Sequence, residues 1–303
     1  MFSERINNMN VTMDLNKLSY ETKTALVKDE QASPEFLAAL ATDKDARIRI
    51  LVAWHSSTPS EVLDTLANDG DSVVRRAVAE NGNTFAKTLA KLANDIDEDV
   101  RIAVGENKNT KEETLAMLAK DKKGWVREAV ASNLNTSVEP LELLTEDTDK
   151  FVRGAVARNK NAPEKVFLKL AKDENSINRH YVASNPNVPA EILAFLAKDD
   201  EWRVRYAVAR NENTPKEALT VLAQDKEVCV RSEVAANKNT YIDVLAMLAS
   251  DKEAWIRFAV AGSPNTPLNA LETLADDENL QVSEKAENVL KERLMKGKCG
   301  IER

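Results

Sequence analysis

The chain has 303 residues, of which 43% are hydrophobic and 30% charged, and its formal net charge is −8. An acidic chain is a poor general binder of phosphate backbones, because nonspecific affinity for nucleic acids comes from Lys and Arg. Its two cysteines form no Cys-x-x-Cys motif, which excludes a disulfide framework and a cysteine-ligated zinc or iron–sulfur site within one chain. No segment approaches the roughly 18 continuous apolar residues of a membrane span, and the N-terminus lacks the apolar core of a signal peptide. The sequence therefore predicts a soluble cytoplasmic protein.

The first 42 residues predict an N-terminal cap. Residues 1–16 are polar, and residues 17–42 read as a degenerate form of the repeat that follows. Within it, Lys23 and Leu26 occupy positions that later repeats give to Arg and Val. Repeat arrays need polar ends, so we expect residues 1–42 to form a cap that includes one incomplete repeat.

Residues 43–276 contain nine copies of a 26-residue pattern without any insertion. The copies begin at Asp43, Asp69, Asp95, Asp121, Asp147, Asp173, Asp199, Asp225 and Asp251. A fixed repeat predicts one elongated array, although the length alone would suggest two domains. The pattern decays after residue 276, where Ser283 replaces the repeated Arg. Residues 277–303 are therefore predicted to form a C-terminal capping helix and tail.

Each repeat predicts two short helices. Counting its leading Asp as position 0, the first helix covers roughly positions 2–11, with a shared apolar face at positions 5, 8 and 9. An Asn-x-Asn-Thr turn follows, and the second helix carries Leu at positions 20 and 23. Thr214 and Glu217 have the spacing of a capping box, which predicts Thr as the N-cap. We predict an all-α, right-handed α-solenoid of about ten two-helix repeats; the pattern leaves open whether the second helix is α or 3₁₀.

Three polar columns, one of Arg and two of Asn, run through the repeats. Position 6 is Arg in all nine, and positions 12 and 14 are mostly Asn, with His55, Ser57 and Ser263 as exceptions. Nine guanidinium groups in register suggest either a phosphate track or pairing with the Asp column. We favour the pairing, because Arg suits bidentate bonds to carboxylates. Asn suits hydrogen bonds to the backbone of a turn. The Arg column and the two Asn columns are therefore predicted to have structural roles.

The text D-x₄-V-R-x-A-V-A-x-N-x-N-T-P-x-E-x-L-x₂-L-A resembles the variant leucine-rich repeat family and, more broadly, HEAT-like repeats. The resemblance covers residues 43–276, with a weak extension to 17–42. It implies a helical array whose first helices line a concave face. The family's founding architecture also has an N-terminal iron–sulfur module ligated by cysteines. No cysteine precedes Cys229, so that cluster is not carried over and no cofactor is predicted.

Function is expected where the repeats differ. On a helical wheel of the first helix, position 7 points away from the core, and positions 4 and 11 lie together on one flank. In the central repeats these positions and their neighbours combine aromatic residues with Arg, which dominate protein interaction hot spots. The predicted partner-binding residues are Phe151, Arg158, His180, Trp202, Arg203, Tyr206 and Arg210. An alternative is that Trp125, Trp202 and Trp255 seal contacts between repeats.

The sequence favours a noncatalytic scaffold that binds a protein partner. It contains none of the motifs HExxH, GxSxG or GxxxxGK[ST], and Cys229 is predicted to be a structural cysteine rather than a nucleophile. The alternative function is nucleic-acid binding, or HEAT-like DNA glycosylase-type repair, through the central repeats; residues 147–172 carry seven Lys or Arg against three Asp or Glu. The sequence leaves the oligomeric state open.

Overall fold

The computed structural model describes residues 15–299, and the side chains of 15 and 17–295. Most of the polar segment 1–16 and the last four residues of the predicted tail lie outside the described residues. Between 15 and 299 the chain is helical with no β-strand, as predicted for an all-α repeat solenoid. No helix in that range is long and apolar enough to cross a membrane.

The chain divides into two compact units, residues 1–159 and 160–303. After a 3₁₀ turn at Leu15–Lys17, the helices of the first unit are α1 (Tyr20–Val27), α2 (Pro34–Leu40), α3 (Ala46–Trp54), α4 (Ser60–Leu66), α5 (Ser72–Glu80), α6 (Ala86–Leu92), α7 (Glu98–Glu106), α8 (Glu112–Leu118), α9 (Gly124–Ser132), α10 (Val138–Leu144) and α11 (Lys150–Arg158).

The helices of the second unit are α12 (Glu164–Leu170), α13 (Ser176–Ser184), α14 (Ala190–Leu196), α15 (Trp202–Arg210), α16 (Lys216–Leu222), α17 (Val228–Ala236), α18 (Ile242–Leu248), α19 (Ala254–Gly262), α20 (Leu268–Ala275) and α21 (Leu280–Cys299).

Every regular repeat contributes one A helix and one B helix. The A helices are the odd-numbered α3 to α19, which cover positions 3–11, close to the predicted span. The B helices are the even-numbered α4 to α20, which begin at position 17 and are α-helical rather than 3₁₀. Helices this short are marginal alone, so they depend on the neighbouring repeats.

The predicted core positions are buried. The Leu residues at positions 20 and 23 are buried, with Phe167 as the one substitute at position 20. The Val at position 9 is 0% exposed in every repeat: Val52, Val78, Val104, Val130, Val156, Val182, Val208, Val234 and Val260. A Cβ added to Gly105 would lie 3.0 Å from the Cβ of Ala129, which confirms that small residues at position 10 let A helices approach closely.

The predicted capping box is wrong. The Thr of the turn is buried, and its hydroxyl donates to the carbonyl of the Val six residues earlier, as Thr214 Oγ1 does to Val208 O at 2.5 Å. Position 15 is Thr in seven repeats and Ala162 or Val188 in the other two, and the N-cap of each B helix is the residue after it. The side chain of that N-cap makes no capping bond in any of the nine B helices. The hydroxyl serves the preceding helix because that helix ends in carbonyls without helical partners.

The two helix layers pack differently within each unit. Consecutive A helices pack closely along their lengths, whereas consecutive B helices touch only sparsely. A layer whose members lie closer together is the inner layer of a stack, so the A helices form the inner layer of each unit. At the C-terminal end, α21 packs on both α19 and α20. There Arg293 donates to the turn carbonyls of Ser263 and Pro264 at 3.0 and 2.7 Å.

Candidate interaction surface

The Arg column forms a framework that we call the Asp–Arg ladder. Arg127 is typical: its Nε and Nη2 donate to the two carboxylate oxygens of Asp147 at 2.5 and 2.8 Å, and its Nη1 donates to Asp121 O at 2.8 Å. Each Arg thus links the Asp carboxylate of the next repeat to the backbone carbonyl of the Asp that begins its own repeat. The same three-point arrangement is formed by Arg49, Arg75, Arg101, Arg179, Arg205, Arg231 and Arg257. In these repeats the guanidinium groups are occupied, so they do not form a phosphate track.

The ladder shifts the ionisation of both partners. Burial alone would raise the pKa of Asp225, but hydrogen bonds from Arg205 and from the Glu227 amide hold that pKa below its ordinary value. The hydrogen bond from Arg205 to Asp225 raises the pKa of the guanidinium despite its burial. Both groups therefore remain charged across the physiological range.

The Asn columns are framework too. Asn81 Nδ2 donates to the carbonyls of Ala53 and His55 in the preceding repeat, and its Oδ1 accepts from the Asn83 amide. Asn83 Nδ2 then donates to Ser56 O at 2.5 Å. Both predicted Asn columns therefore tie each turn to the preceding one.

His55 replaces one Asn and keeps two of the three hydrogen bonds that Asn81 makes. Its Nδ1 lies 3.1 Å from the Ser57 amide, and its Nε2 lies 3.1 Å from Asp29 O. An amide donor on one side and a carbonyl acceptor on the other require the tautomer protonated at Nε2. His55 therefore links adjacent turns as Asn does elsewhere.

The A helices present positions 4 and 11 to solvent, as predicted, but position 7 is different. Position 4 is exposed in eight of the nine repeats and position 11 in all nine. Position 7 is half-buried in most repeats, and Gly154 there is fully buried. The close approach of neighbouring A helices covers this position, which a helical wheel of one helix does not reveal.

In the first unit, Phe151 lies beside Trp125 of the preceding repeat. The rings stack with centroids 6.5 Å apart and planes inclined by 16°, yet Trp125 remains 63% exposed and Phe151 56%. Lys150 Nζ lies 5.2 Å from the Phe151 ring centroid. Arg158, at the other end of the same helix, pairs with Glu128 at 3.8 Å. We call Trp125, Phe151 and Arg158 the first A-face patch.

In the second unit, four predicted residues form a connected group. The ring edge of Trp202 meets Tyr206 at a centroid distance of 6.5 Å, and the Arg203 guanidinium lies 4.7 Å from the Trp202 centroid. His180 Nδ1 lies 3.0 Å from Arg203 O. Arg210 is exposed at the end of the same helix. We call His180, Trp202, Arg203, Tyr206 and Arg210 the second A-face patch.

Glu233 adds a polar contact that the sequence reasoning missed. Tyr206 donates to Glu233 Oε1 at 3.0 Å, and burial together with this bond raises the pKa of the phenol. Glu233 stands at position 8, which is Ala in six of the nine repeats. A Glu in a column that is otherwise mostly Ala is the feature of the sequence that could have pointed to a polar contact here.

Neither Trp125 nor Trp255 is buried between repeats. Trp255 is 66% exposed and stacks on Phe258 of its own helix at 5.8 Å. Trp202 is half-buried. Cys229 is also half-buried, and burial raises the pKa of its thiol, which disfavours the thiolate at neutral pH.

Comparisons with known proteins confirm the repeat type recognised in the sequence. Residues 202–227 match the family described as leucine rich repeat variant, a length of exactly one repeat. A solved structure described as a leucine-rich repeat variant with a novel repetitive structural motif is 23% identical; the match covers 82% of this chain and 88% of that one, with a TM-score of 0.53. This likeness shows the fold.

Two further solved structures are less similar. An engineered protein is 17% identical, with a TM-score of 0.38 and coverage of 92% of this chain and 96% of its own. The Escherichia coli protein YibA is 19% identical, with a TM-score of 0.36 and coverage of 91% and 98%. No curated protein matches the sequence.

Proposed function

We propose that this array of leucine-rich-repeat-variant repeats is a noncatalytic scaffold that binds a protein partner along the inner layer of A helices. Its repeated polar residues are engaged with one another, and the variable outward positions carry aromatic and Arg side chains. Rigid aromatic surface and Arg supply most of the binding energy in protein interfaces.

The observation that carries this proposal is the exposed stack of Trp125 on Phe151. Two large rings are held in place by each other and by their helices, yet most of their surface faces solvent. Covering such preorganised rings costs little conformational entropy. The first A-face patch is therefore the leading candidate for a binding hot spot.

The second A-face patch supports the same function in its own unit. Trp202, Arg203 and Tyr206 hold one another through ring and cation–π contacts, and Arg210 adds an exposed positive charge. Such a group fits a partner surface that combines an apolar side chain with a carboxylate.

The Asp–Arg ladder favours a protein partner over nucleic acid. The most regular set of cations in the chain is neutralised by paired Asp residues, and the whole chain is acidic. Phosphate binding would depend on exposed Lys and Arg side chains outside the ladder, which form no such regular column. A nucleic-acid binder would show affinity that falls steeply with added salt.

The test is affinity capture with quantitative mass spectrometry, using the full chain and three variants. We expect Trp125→Ala/Phe151→Ala or Tyr206→Ala/Arg210→Ala to lose specific partners at least about 30-fold, as hot-spot residues do. The matched control is Trp255→Ala, which removes an equally exposed ring elsewhere on the A helices. Unchanged recovery with both double variants, at unchanged thermal stability, would contradict binding through these patches.

A further inference from the structure

The outer layer of the second unit carries a row of exposed apolar side chains that the A-face proposal does not use. Phe195, Val221 and Met247 occupy position 22 of three successive B helices and are 54%, 52% and 44% exposed. Single exposed apolar residues are ordinary, but aligned ones form a patch. We call these three residues the outer row.

A second row, of carboxylates, runs beside the first. Glu191, Glu217 and Asp243 are each four residues before a member of the outer row and are exposed. Residues four apart lie on the same side of a helix. The apolar and acidic rows are therefore parallel and cross the same three B helices.

The spacing of the rows fits a helix laid across the repeats. Closely packed helices lie roughly 8–10 Å apart. Consecutive B helices touch only sparsely, so their spacing is towards the upper end of that range or above it, close to the rise of about 10.5 Å over seven residues of an α-helix. Apolar residues seven apart on one bound helix can thus meet Phe195, Val221 and Met247 in turn. Lys or Arg along one edge of that apolar stripe would face Glu191, Glu217 and Asp243.

A pocket of about 440 Å³ lies at one end of the outer row. Its lining combines three apolar residues with three cations and three carboxylates: Ala171, Ala194, Phe195, Lys172, Arg179, Lys198, Asp173, Asp199 and Asp200. The apolar part of the lining can receive one apolar side chain as an anchor. The cations and carboxylates of the pocket balance, so the acidic row rather than the pocket selects a partner with a basic edge.

We propose that the outer row is a second docking surface, which binds an amphipathic helix of a partner protein with a Lys- or Arg-rich edge. A second copy of this chain is a poorer occupant, because its own row brings carboxylates towards carboxylates. The acidic row likewise opposes an anionic membrane surface. This surface is independent of the A-face patches, so either proposal can fail alone.

The experiment measures binding of a synthetic helical peptide of three heptads, with Leu on one face and Lys along one edge of that face. A scrambled peptide of identical composition and charge is the matched ligand control. We expect the full chain to bind the amphipathic peptide at least about tenfold more tightly than the scrambled one. Equal affinities for the two peptides would show charge attraction alone and would overturn the proposal.

Variants locate the site on the protein. Phe195→Ser/Val221→Ser/Met247→Ser should weaken the amphipathic peptide by about tenfold or more, and Glu191→Gln/Glu217→Gln/Asp243→Asn should weaken it and reduce its salt dependence. Trp125→Ser/Phe151→Ser, which changes the A face only, should bind normally. Unchanged affinity of the outer-row variant for the peptide contradicts the proposal. So does sedimentation in which the parent chain self-associates and the outer-row variant does not, because the occupant would then be a second copy of the chain. Thermal unfolding checks that each variant is folded.

Discussion

At the residue scale, the polar side chains form two groups: those that bond to neighbouring repeats and those that remain exposed to solvent. The Arg residues of the ladder are largely buried and bonded to two repeats, whereas Arg203 is exposed and pairs with Glu201 of its own repeat. The sequence predicted this division because one set recurs every 26 residues and the other does not. It could not predict Glu233 as the partner of Tyr206, since that contact joins two repeats at non-repeating positions.

Replacing a ladder Arg should destabilise the fold. Arg127→Ala leaves the buried Asp147 carboxylate without its bidentate partner, which costs about 3 kcal/mol when one member of a buried pair is removed. The control Arg203→Ala removes an exposed guanidinium and should change stability by less than about 0.5 kcal/mol. Urea unfolding measures both. Equal stability of the two variants would show that the ladder is not framework.

His55 should be replaceable by the residue that the other repeats use. His55→Asn can donate and accept as His does, so its free energy of unfolding should match the parent. His55→Ala loses two hydrogen bonds and should cost about 1–2 kcal/mol. Urea denaturation of the two variants compares them directly; an Asn variant as unstable as the Ala variant would refute the shared role.

At the scale of elements, local pattern predicted the helices but not how they begin. Nine copies of the same apolar spacing make positions 3–11 and 17–23 readable from sequence. The Thr-x-x-Glu spacing equally suggests a capping box, but the hydroxyl bonds the carbonyl of the previous helix instead. That choice depends on the angle between two helices, which a local motif does not contain.

Substitutions at Thr214 and Glu217 distinguish a capping box from a bond between the Thr hydroxyl and the preceding helix. Thr214→Val keeps the shape but removes the bond to Val208 O, which is left with the Asn211 amide as its donor, so it should cost about 1 kcal/mol. Glu217→Gln should be nearly neutral, because the Thr214 amide that a capping box would use already donates to Asn211 O, and Gln can still accept from Tyr241. A capping box would make both substitutions costly in chemical unfolding.

At the scale of the whole molecule, the ladder links stability to pH. Burial, the largest single influence, raises the pKa of each ladder Asp. The hydrogen bonds from Arg and from a backbone amide, with the nearby positive charge, together outweigh it and hold the pKa below its ordinary value. The unfolded chain therefore binds protons at higher pH than the folded chain. The stabilisation is complete above the ordinary Asp pKa of about 4 and is lost as pH falls through the lowered folded values.

We accordingly expect the midpoint temperature of unfolding to fall steeply below about pH 4. Between about pH 6 and 8 the ladder should leave the midpoint unchanged. Repeats contribute through interfaces with their neighbours, so the effect accumulates over the ladder pairs of each unit. Calorimetry across this pH range measures it. A midpoint that is flat down to about pH 2 would contradict charged, structurally required Asp–Arg pairs.

The central claim is that the repeated polar residues form the framework while exposed aromatic residues on the A helices bind a partner. Hydroxyl-radical footprinting of the chain, alone and with a captured partner, tests it most directly, because it reports side-chain exposure in both states. Free chain should show strong oxidation of Trp125 and Trp255. With the partner bound, Trp125 and Phe151, or Trp202 and Tyr206, should be protected while Trp255 stays reactive. Unchanged oxidation of all four patch aromatics at saturating partner would contradict the account.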